Sequence, residues 1–389
     1  MKKLITLSIA ALALTQSAYA TNGTNLIGYG SQSRAMGGTG VAMFQGAETA
    51  FNNPALIGSG DKNVEISIGG TLFTPSVSYE DDFSGVSDSD TDTSIIPAIS
   101  VINKINSDVT VGLAMYGTAG MGVDYRGSSN TALNTQNNNM MNMRLSIPVA
   151  YKVMNGLTLG IAPVIEYGSL SMNGTGVTND LSYGYELGAA YTYSTATIGL
   201  DYKSDIDHDY GDTFNSDFTG GTQSTLGTPA VLALGISNDF KIAEGRTMTL
   251  SADYKRIFNS SAAGFDDFGW EDQNVYGIGI QCENLNTGIS LRAGYNYGAQ
   301  PLADFTDNAN GSVGSYMAFP AVTEHHFTLG GSYAVNDVTS IDLAYVYGIG
   351  SASQDVKYTN PTTGVESPYT SVETVNDQSS LSLALNYGF

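Results

Sequence analysis

Leu381-Ser382-Leu383-Ala384-Leu385-Asn386-Tyr387-Gly388-Phe389 decides the fold. Its odd positions carry Leu, Leu, Leu, Tyr and Phe. Its even positions carry Ser, Ala, Asn and Gly. A period of two sends successive side chains to opposite faces of a strand. One face here is apolar with an aromatic end, and the other is small and polar. Such a strand separates two different solvents.

The same pattern recurs upstream. Ile341, Leu343, Tyr345 and Tyr347 alternate with Asp342, Ala344, Val346 and Gly348. Tyr183, Tyr185, Leu187, Ala189, Tyr191 and Tyr193 alternate with Gly184, Glu186, Gly188, Ala190 and Thr192. In all, 14 strands are predicted, at 63–74, 94–104, 108–118, 142–153, 156–168, 182–193, 195–203, 229–240, 247–258, 274–283, 287–297, 323–334, 338–349 and 379–389. Their lengths cluster near the 9–11 residues that a tilted strand needs to cross a bilayer.

The connections sort themselves by length. Short links fall at 105–107, 154–155, 194, 241–246, 284–286 and 335–337. Long links fall at 75–93, 119–141, 169–181, 204–228, 259–273, 298–322 and 350–378. Strict alternation of short and long is the rhythm of periplasmic turns and extracellular loops. It predicts an all-β, transmembrane, 14-stranded antiparallel barrel with both ends on the periplasmic side.

Composition agrees. The 389 residues carry 13% charged side chains, about half the share of an ordinary soluble domain. Gly, Ser, Thr, Asn and 24 Tyr supply the polarity instead. A net charge of −22 argues against a nucleic-acid partner, which needs a basic face. The single Cys excludes an intrachain disulfide. Residues 1–20 read as a signal peptide: Lys2 and Lys3, an apolar stretch at 4–14, then Ala18-Tyr19-Ala20 before the expected cleavage. The mature chain contains no apolar run of 18 residues, so a membrane crossing by helix is not expected.

Residues 21–62 do not alternate. They are rich in small residues and suggest short helical turns near 33–38 and 48–51. A folded segment ahead of a barrel cannot sit in lipid with unpaired backbone groups. It is expected to plug the lumen, leaving 63–389 as the barrel.

Gly28-Tyr29-Gly30, then Ser33-Arg34-Ala35-Met36-Gly37-Gly38-Thr39-Gly40, then Asn52-Asn53-Pro54-Ala55 resembles the N-terminal hatch of FadL-type outer-membrane transporters. The closing Phe389 resembles the terminal aromatic by which such barrels engage the barrel assembly machinery. The resemblance implies uptake of long-chain fatty acids or aromatic hydrocarbons. It implies a hatch motif of Ala35, Met36, Gly37, Gly38, Asn53, Pro54 and Ala55, with Asn53-Pro54-Ala55 near an inward kink in the third strand. It also implies lateral release into the membrane through that kink. Gly117, Gly120 and Gly122 are the residues here that would form it, since glycine within a strand marks bulges and bends.

The substrate pocket is expected between the hatch and the second and third long loops, lined by Phe44, Phe51, Met121, Met140 and Met141. Methionines make a pliable apolar surface. The alternation points Glu65, Arg144, Lys152, Glu166, Glu186, Asp201, Lys203, Asp253, Lys255, Arg292 and Asp342 into the lumen. They are read as a salt-bridged lining that holds the hatch, with Arg34 pairing one of the carboxylates. An ion-selectivity filter is the other reading. The acidic stretch at 80–92 lacks the placement of an EF-hand and reads as a solvated loop. His325-His326 lacks a third ligand in register for zinc. Cys282 is expected on the lipid face. No cofactor, metal site or catalytic constellation is called for. The expected setting is the outer membrane of a Gram-negative bacterium, among lipid and lipopolysaccharide, as a monomer. The other function weighed is a general diffusion porin or an adhesion barrel.

Overall fold

The computed structural model describes residues 22–82, 85–91, 93–130, 133–173, 176–211, 224–266, 268–285, 288–302, 316–356 and 370–389. The expected signal peptide at 1–20 lies outside them. The described chain forms a closed 14-strand antiparallel β-barrel. Its first seven wall strands are β1 (Val64–Asp81), β2 (Ser94–Lys104), β3 (Val109–Asp124), β4 (Asn137–Ser146, resuming as Val149–Met154), β5 (Leu157–Met172), β6 (Thr178–Tyr193) and β7 (Ala196–Lys203). The other seven are β8 (Val231–Ala243), β9 (Arg246–Ile257), β10 (Gln273–Cys282), β11 (Ile289–Gly298), β12 (His325–Ala334), β13 (Thr339–Ile349) and β14 (Thr370–Gly388).

Each strand pairs with its sequence neighbours, and β1 closes the ring on β14 from Glu65↔Gly388 to Asp81↔Val372. The terminal residue completes the seam. Phe389 N–H donates to the Val64 carbonyl at 3.0 Å, and Val64 N–H donates back at 3.0 Å. Closure leaves no strand edge for hydrocarbon to strand unpaired.

Burial is inverted relative to a soluble protein. Leu381, Leu383 and Leu385 are 45%, 56% and 50% exposed, whereas Ser380, Ser382 and Ala384 are 4% or less. Within the bilayer the large apolar side chains of the strands face outward, and the small and polar ones mostly face inward. Outward tyrosines mark both rims, Tyr151 and Tyr193 at the short-turn end and Tyr276 and Tyr347 toward the loop end, as expected of aromatic girdles.

Several strands outrun their predicted ends, chiefly on the long-loop side. β1, β3, β5, β6 and β14 are 16 to 19 residues long. Beyond the bilayer the outward face no longer needs to be apolar. On β1 it reads Thr74, Ser76 and Glu80, all exposed, so the alternation signal fades while the pairing continues. The stretch at 80–92 is consequently part strand, with Gly85–Asp88 pairing back onto β1. Ile206–Asp209 and Thr225–Thr228 form a separate hairpin in the fourth long loop.

The lipid face gives a direct test. Leu383, paired with Gly70 and Leu343 in mid-wall, should tolerate charge poorly. Leu383→Arg is expected to lower unfolding stability in lipid vesicles by about 2–4 kcal/mol. Denaturant titration of folded barrel in vesicles measures it, and unchanged stability would contradict the assigned facing.

Candidate functional site

The hatch fills the periplasmic half of the lumen and is almost wholly buried. It consists of α1 (Ser31–Ala35) and two 3₁₀ turns, Glu48–Phe51 and Pro54–Leu56. Glu48 holds the first helix. Ser31 N–H and Oγ donate to Oε1 at 3.0 and 2.8 Å, and Gln32 N–H donates to Oε2 at 2.9 Å. Burial and then the neighbouring Asp342 push the Glu48 carboxyl up to about 7, against those donors.

The wall receives the hatch on glycines. Gly37 has φ of +68°, and a Cβ there would lie 2.6 Å from the Ile278 and Tyr295 carbonyls. A Cβ on Gly294 of β11 would collide with Gly37 N, and one on Gly279 of β10 would meet the Met36 carbonyl at 2.5 Å. Ala35 and Gly37 are tied to β12 through Thr328 Oγ1, which donates to Ala35 O and accepts from Gly37 N–H, each at 3.0 Å. The Ala35-Met36-Gly37-Gly38 box therefore docks on β10–β12.

Asn53-Pro54-Ala55 docks elsewhere. Asn53 caps its turn by accepting from Ala55 N–H at 2.9 Å, and its Nδ2 donates to Val41 O at 2.7 Å. The tripeptide lies against Gly160 of β5 and Gly188 of β6, where any Cβ would strike it. This corrects the expectation that it borders the third strand.

The segment that does meet the third strand is Thr24-Asn25-Leu26. β2 and β3 pair from Lys104↔Thr110 up to Ala98↔Tyr116, and there the ladder stops. Pro97 follows in β2 and has no N–H to give. On the β4 side the register of β3 shifts between Gly117 and Ala119, which sets Thr118 in a bulge. The released edge of β3 is taken by the hatch: Leu26 N–H donates to Thr118 O at 3.3 Å, and Gly120 N–H donates to Thr24 O at 3.2 Å. The break is local, because Asp90 N–H reaches Asp124 O at 2.7 Å above it. Leu26, Phe73 and Ile96, with Tyr29 and Met141 beside them, fill it. Gly117 and Gly120 thus sit at the bulge and at the hatch contact, and Gly122 lies above them in regular pairing with Asn139.

The five expected pocket residues fall into separate clusters. Phe51, with Phe44 at its edge, packs on Tyr29 and Tyr116 low in the barrel. Met121 and Met140 belong to a larger cluster at the loop end, and Met141 stands between clusters. The loop-end cluster is dominated by Phe265, Phe268, Trp270, Tyr316 and Phe319, from the fifth and sixth long loops. Phe265 packs at a tilt 4.5 Å from Trp270, and Phe268 likewise 5.4 Å from Phe319, by ring centroids. These aromatics were not singled out from the sequence. Phe265, Phe268 and Trp270 within six residues of a connection was the available signal.

A polar layer separates the two apolar regions. Along β3, Tyr116 belongs to the lower one, Thr118 to the layer and Met121 to the upper one. Glu166 is its centre and is fully buried. It accepts from Arg144 Nε and Nη2 at 2.8 and 2.7 Å and from Thr228 Oγ1 at 2.5 Å. It also accepts from the bulge residue Thr118 at 3.3 Å and meets His208 Nε2 at 3.3 Å. One carboxylate so joins the bulge, β4 and the outer hairpin.

The other expected lumen charges are mostly paired. Lys203 bridges Glu186 and Asp201, Lys255 donates to the Ile27 and Gly38 carbonyls, and Asp253 accepts from Gly40 and Val41 N–H. Arg292 lies 4.0 Å from Asp342. Two expectations fail. Lys152 is exposed at the short-turn rim, beyond the interruption of β4 at Pro148. Arg34 meets Ser380 Oγ rather than a carboxylate. His325 faces outward and its Nδ1 lies 2.6 Å from Tyr295 Oη, while His326 faces inward. Beside the hatch, the cavity lined by Asn25, Tyr29, Asn52, Lys203 and Asp253 holds about 40 Å³, room for little more than one water.

The family model of the outer membrane protein transport proteins OMPP1/FadL/TodX matches residues 7–389. The fold is similar to that of a Pseudomonas aeruginosa FadL homologue, with a TM-score of 0.75, 16% identity, and 94% of this chain and 100% of that one covered. It is similar to the P. putida toluene transporter TodX, with a TM-score of 0.69, 19% identity and coverage of 94% and 99%. It is also similar to the Ralstonia pickettii toluene transporter TbuX, with a TM-score of 0.67, 18% identity and coverage of 94% and 99%. A Chlorobium limicola protein described by its place in the phosphoenolpyruvate carboxykinase gene 5′ region is 39% identical over 87 residues. That match spans 22% of this chain and 41% of its relative, less than half the relative's length.

Two substitutions test the geometry. Glu166→Ala leaves Arg144 buried without its carboxylate and is expected to cost about 3–5 kcal/mol in denaturant unfolding; a cost below about 1 kcal/mol would contradict the assigned centre. Gly294→Val should dislodge the hatch while the barrel persists, so that limited proteolysis cuts residues 22–62 from an otherwise resistant protein. A hatch as protected as in the parent would contradict the docking.

Proposed function

The chain belongs to the OMPP1/FadL/TodX family of outer membrane transport proteins, and from that premise we propose that it takes up hydrophobic small molecules. The proposed setting is the outer membrane of a Gram-negative bacterium, with a monomeric barrel delivered there by assembly machinery that reads Phe389. Lipid and lipopolysaccharide surround its apolar wall.

The route runs sideways. A greasy solute is captured by the aromatic cluster of the outer loops, between Met121, Met140, Phe265, Trp270 and Phe319. It then moves down along β3 and leaves through the break between β2 and β3. The observation that carries this reading is the break itself, at Pro97 and Gly117, with an apolar filling of Leu26, Phe73 and Ile96. Every other seam of the wall is hydrogen-bonded among the described residues. Lateral exit suits the cargo. An alkyl chain gains about 0.8 kcal/mol per CH₂ by staying out of water, so a path from apolar loops to hydrocarbon avoids the aqueous periplasm. The hatch supplies both the plug and the removable edge, since Thr24–Leu26 occupies the strand positions that β2 vacates.

Long-chain fatty acids and aromatic hydrocarbons both satisfy this chemistry. The loop cluster offers ring faces to the second and methionine flexibility to the first. Transport by such a path needs no catalytic group, and we assign none.

A reversible lock tests the exit. A Cβ on Gly117 would lie 3.9 Å from Ile96 Cβ, within disulfide reach. Cells carrying Ile96→Cys with Gly117→Cys should lose uptake of radiolabelled oleate or toluene when oxidised and regain it on reduction. Full uptake through the quantitatively cross-linked protein would overturn lateral exit at this seam.

A further inference from the structure

Arg34 is an inward base without an acid or a carbonyl of its own among the described residues. Its guanidinium lies on the hatch, 1% exposed, and donates through Nη2 to Ser380 Oγ at 2.5 Å. Nε and Nη1 are buried and have no acceptor among the described residues. Burial alone governs its charge, lowering its pKa to about 10, and no carboxylate contributes. Arg144, Lys203 and Arg292 each have an acid, and Lys255 has two carbonyls. A guanidinium does not shed its proton to escape such a site. A buried cation without a counter-charge is strongly disfavoured.

His326 stands in the same place on the wall. It is fully buried, and neither ring nitrogen has a partner among the described residues. The barrel register explains the proximity. Thr328, Val346 and Ser380 form one inward row across β12, β13 and β14, and His326, Gly348 and Gln378 form the next. Arg34 reaches the first row, and His326 overlies Gly348 in the second, where a Cβ would come within 2.7 Å of its Cδ2. Arg34 and His326 thus occupy neighbouring rows of the lumen, with no carboxylate beside the guanidinium among the described residues, and Gln378 Oε1 of the second row is likewise buried without a partner.

We propose that this junction is a site for a monovalent anion, a halide or the carboxylate of an organic acid, held between Arg34 of the hatch and His326 of β12. The ion neutralises the guanidinium and fastens the hatch to the β12–β14 wall. A water molecule satisfies hydrogen bonds there but leaves the charge uncompensated. The site stands independently of the transport route.

Crystals of the full mature protein decide it in two arms, one grown with sodium bromide as the anion and one with sodium acetate and no halide. An anomalous bromide peak in contact with Arg34 and His326, absent from Arg34→Met, assigns a free halide. Carboxylate density there in the acetate arm assigns the organic-acid source. Water or nothing in both arms overturns the proposal, as does a bromide peak that persists in Arg34→Met. The unaltered protein carries the test if that variant does not fold.

Discussion

Hydrocarbon offers no hydrogen-bond partner, and that constraint orders the molecule. Each backbone N–H and C=O within the bilayer must be met by the chain itself. The β1–β14 seam meets it by closing the ring over 17 paired positions. The break between β2 and β3 is where the wall departs from the rule, and there the hatch edge at Thr24–Leu26 supplies the missing partner to β3. The gap in the wall and the plug in the lumen are therefore one arrangement.

The interior follows from the same constraint. A wall that faces lipid outward must face its polar phase inward, and those groups need partners as well. The hatch provides them with its backbone, laid so close that the facing wall positions are glycines such as Gly160, Gly188, Gly279 and Gly294. Charges too large for that contact pair with one another. Glu166 gathers Thr118, Arg144, His208 and Thr228 around one carboxylate, so the position of the bulge is coupled to the strand beside it and to an outer hairpin.

What was legible in the chain was whatever two solvents had imprinted on it. Within the bilayer the alternation of Leu381–Phe389 and its counterparts located all 14 wall strands, with β2 at its observed bounds. Above the bilayer Thr74, Ser76 and Glu80 face water and the apolar phase passes to the inward Val77 and Tyr79, so the outward apolar pattern stops while the strand runs on. The hatch box was legible as a motif but its docking was not, since the glycines that receive it lie on β5, β6, β10 and β11. The upper apolar cluster escaped because aromatics in a connection carry no period. Arg34 was expected to find an acid because inward bases usually do; its row of the wall holds Ser380, Val346 and Thr328 instead.

A lumen closed by its hatch, with the proposed passage through the wall, leaves no aqueous path along the axis. Conductance of the purified protein in planar lipid bilayers measures that property most directly. The protein is expected to insert and fold yet carry almost no steady ionic current. A large, steady conductance from the unaltered protein would mean an open aqueous pore, and would contradict the closed lumen.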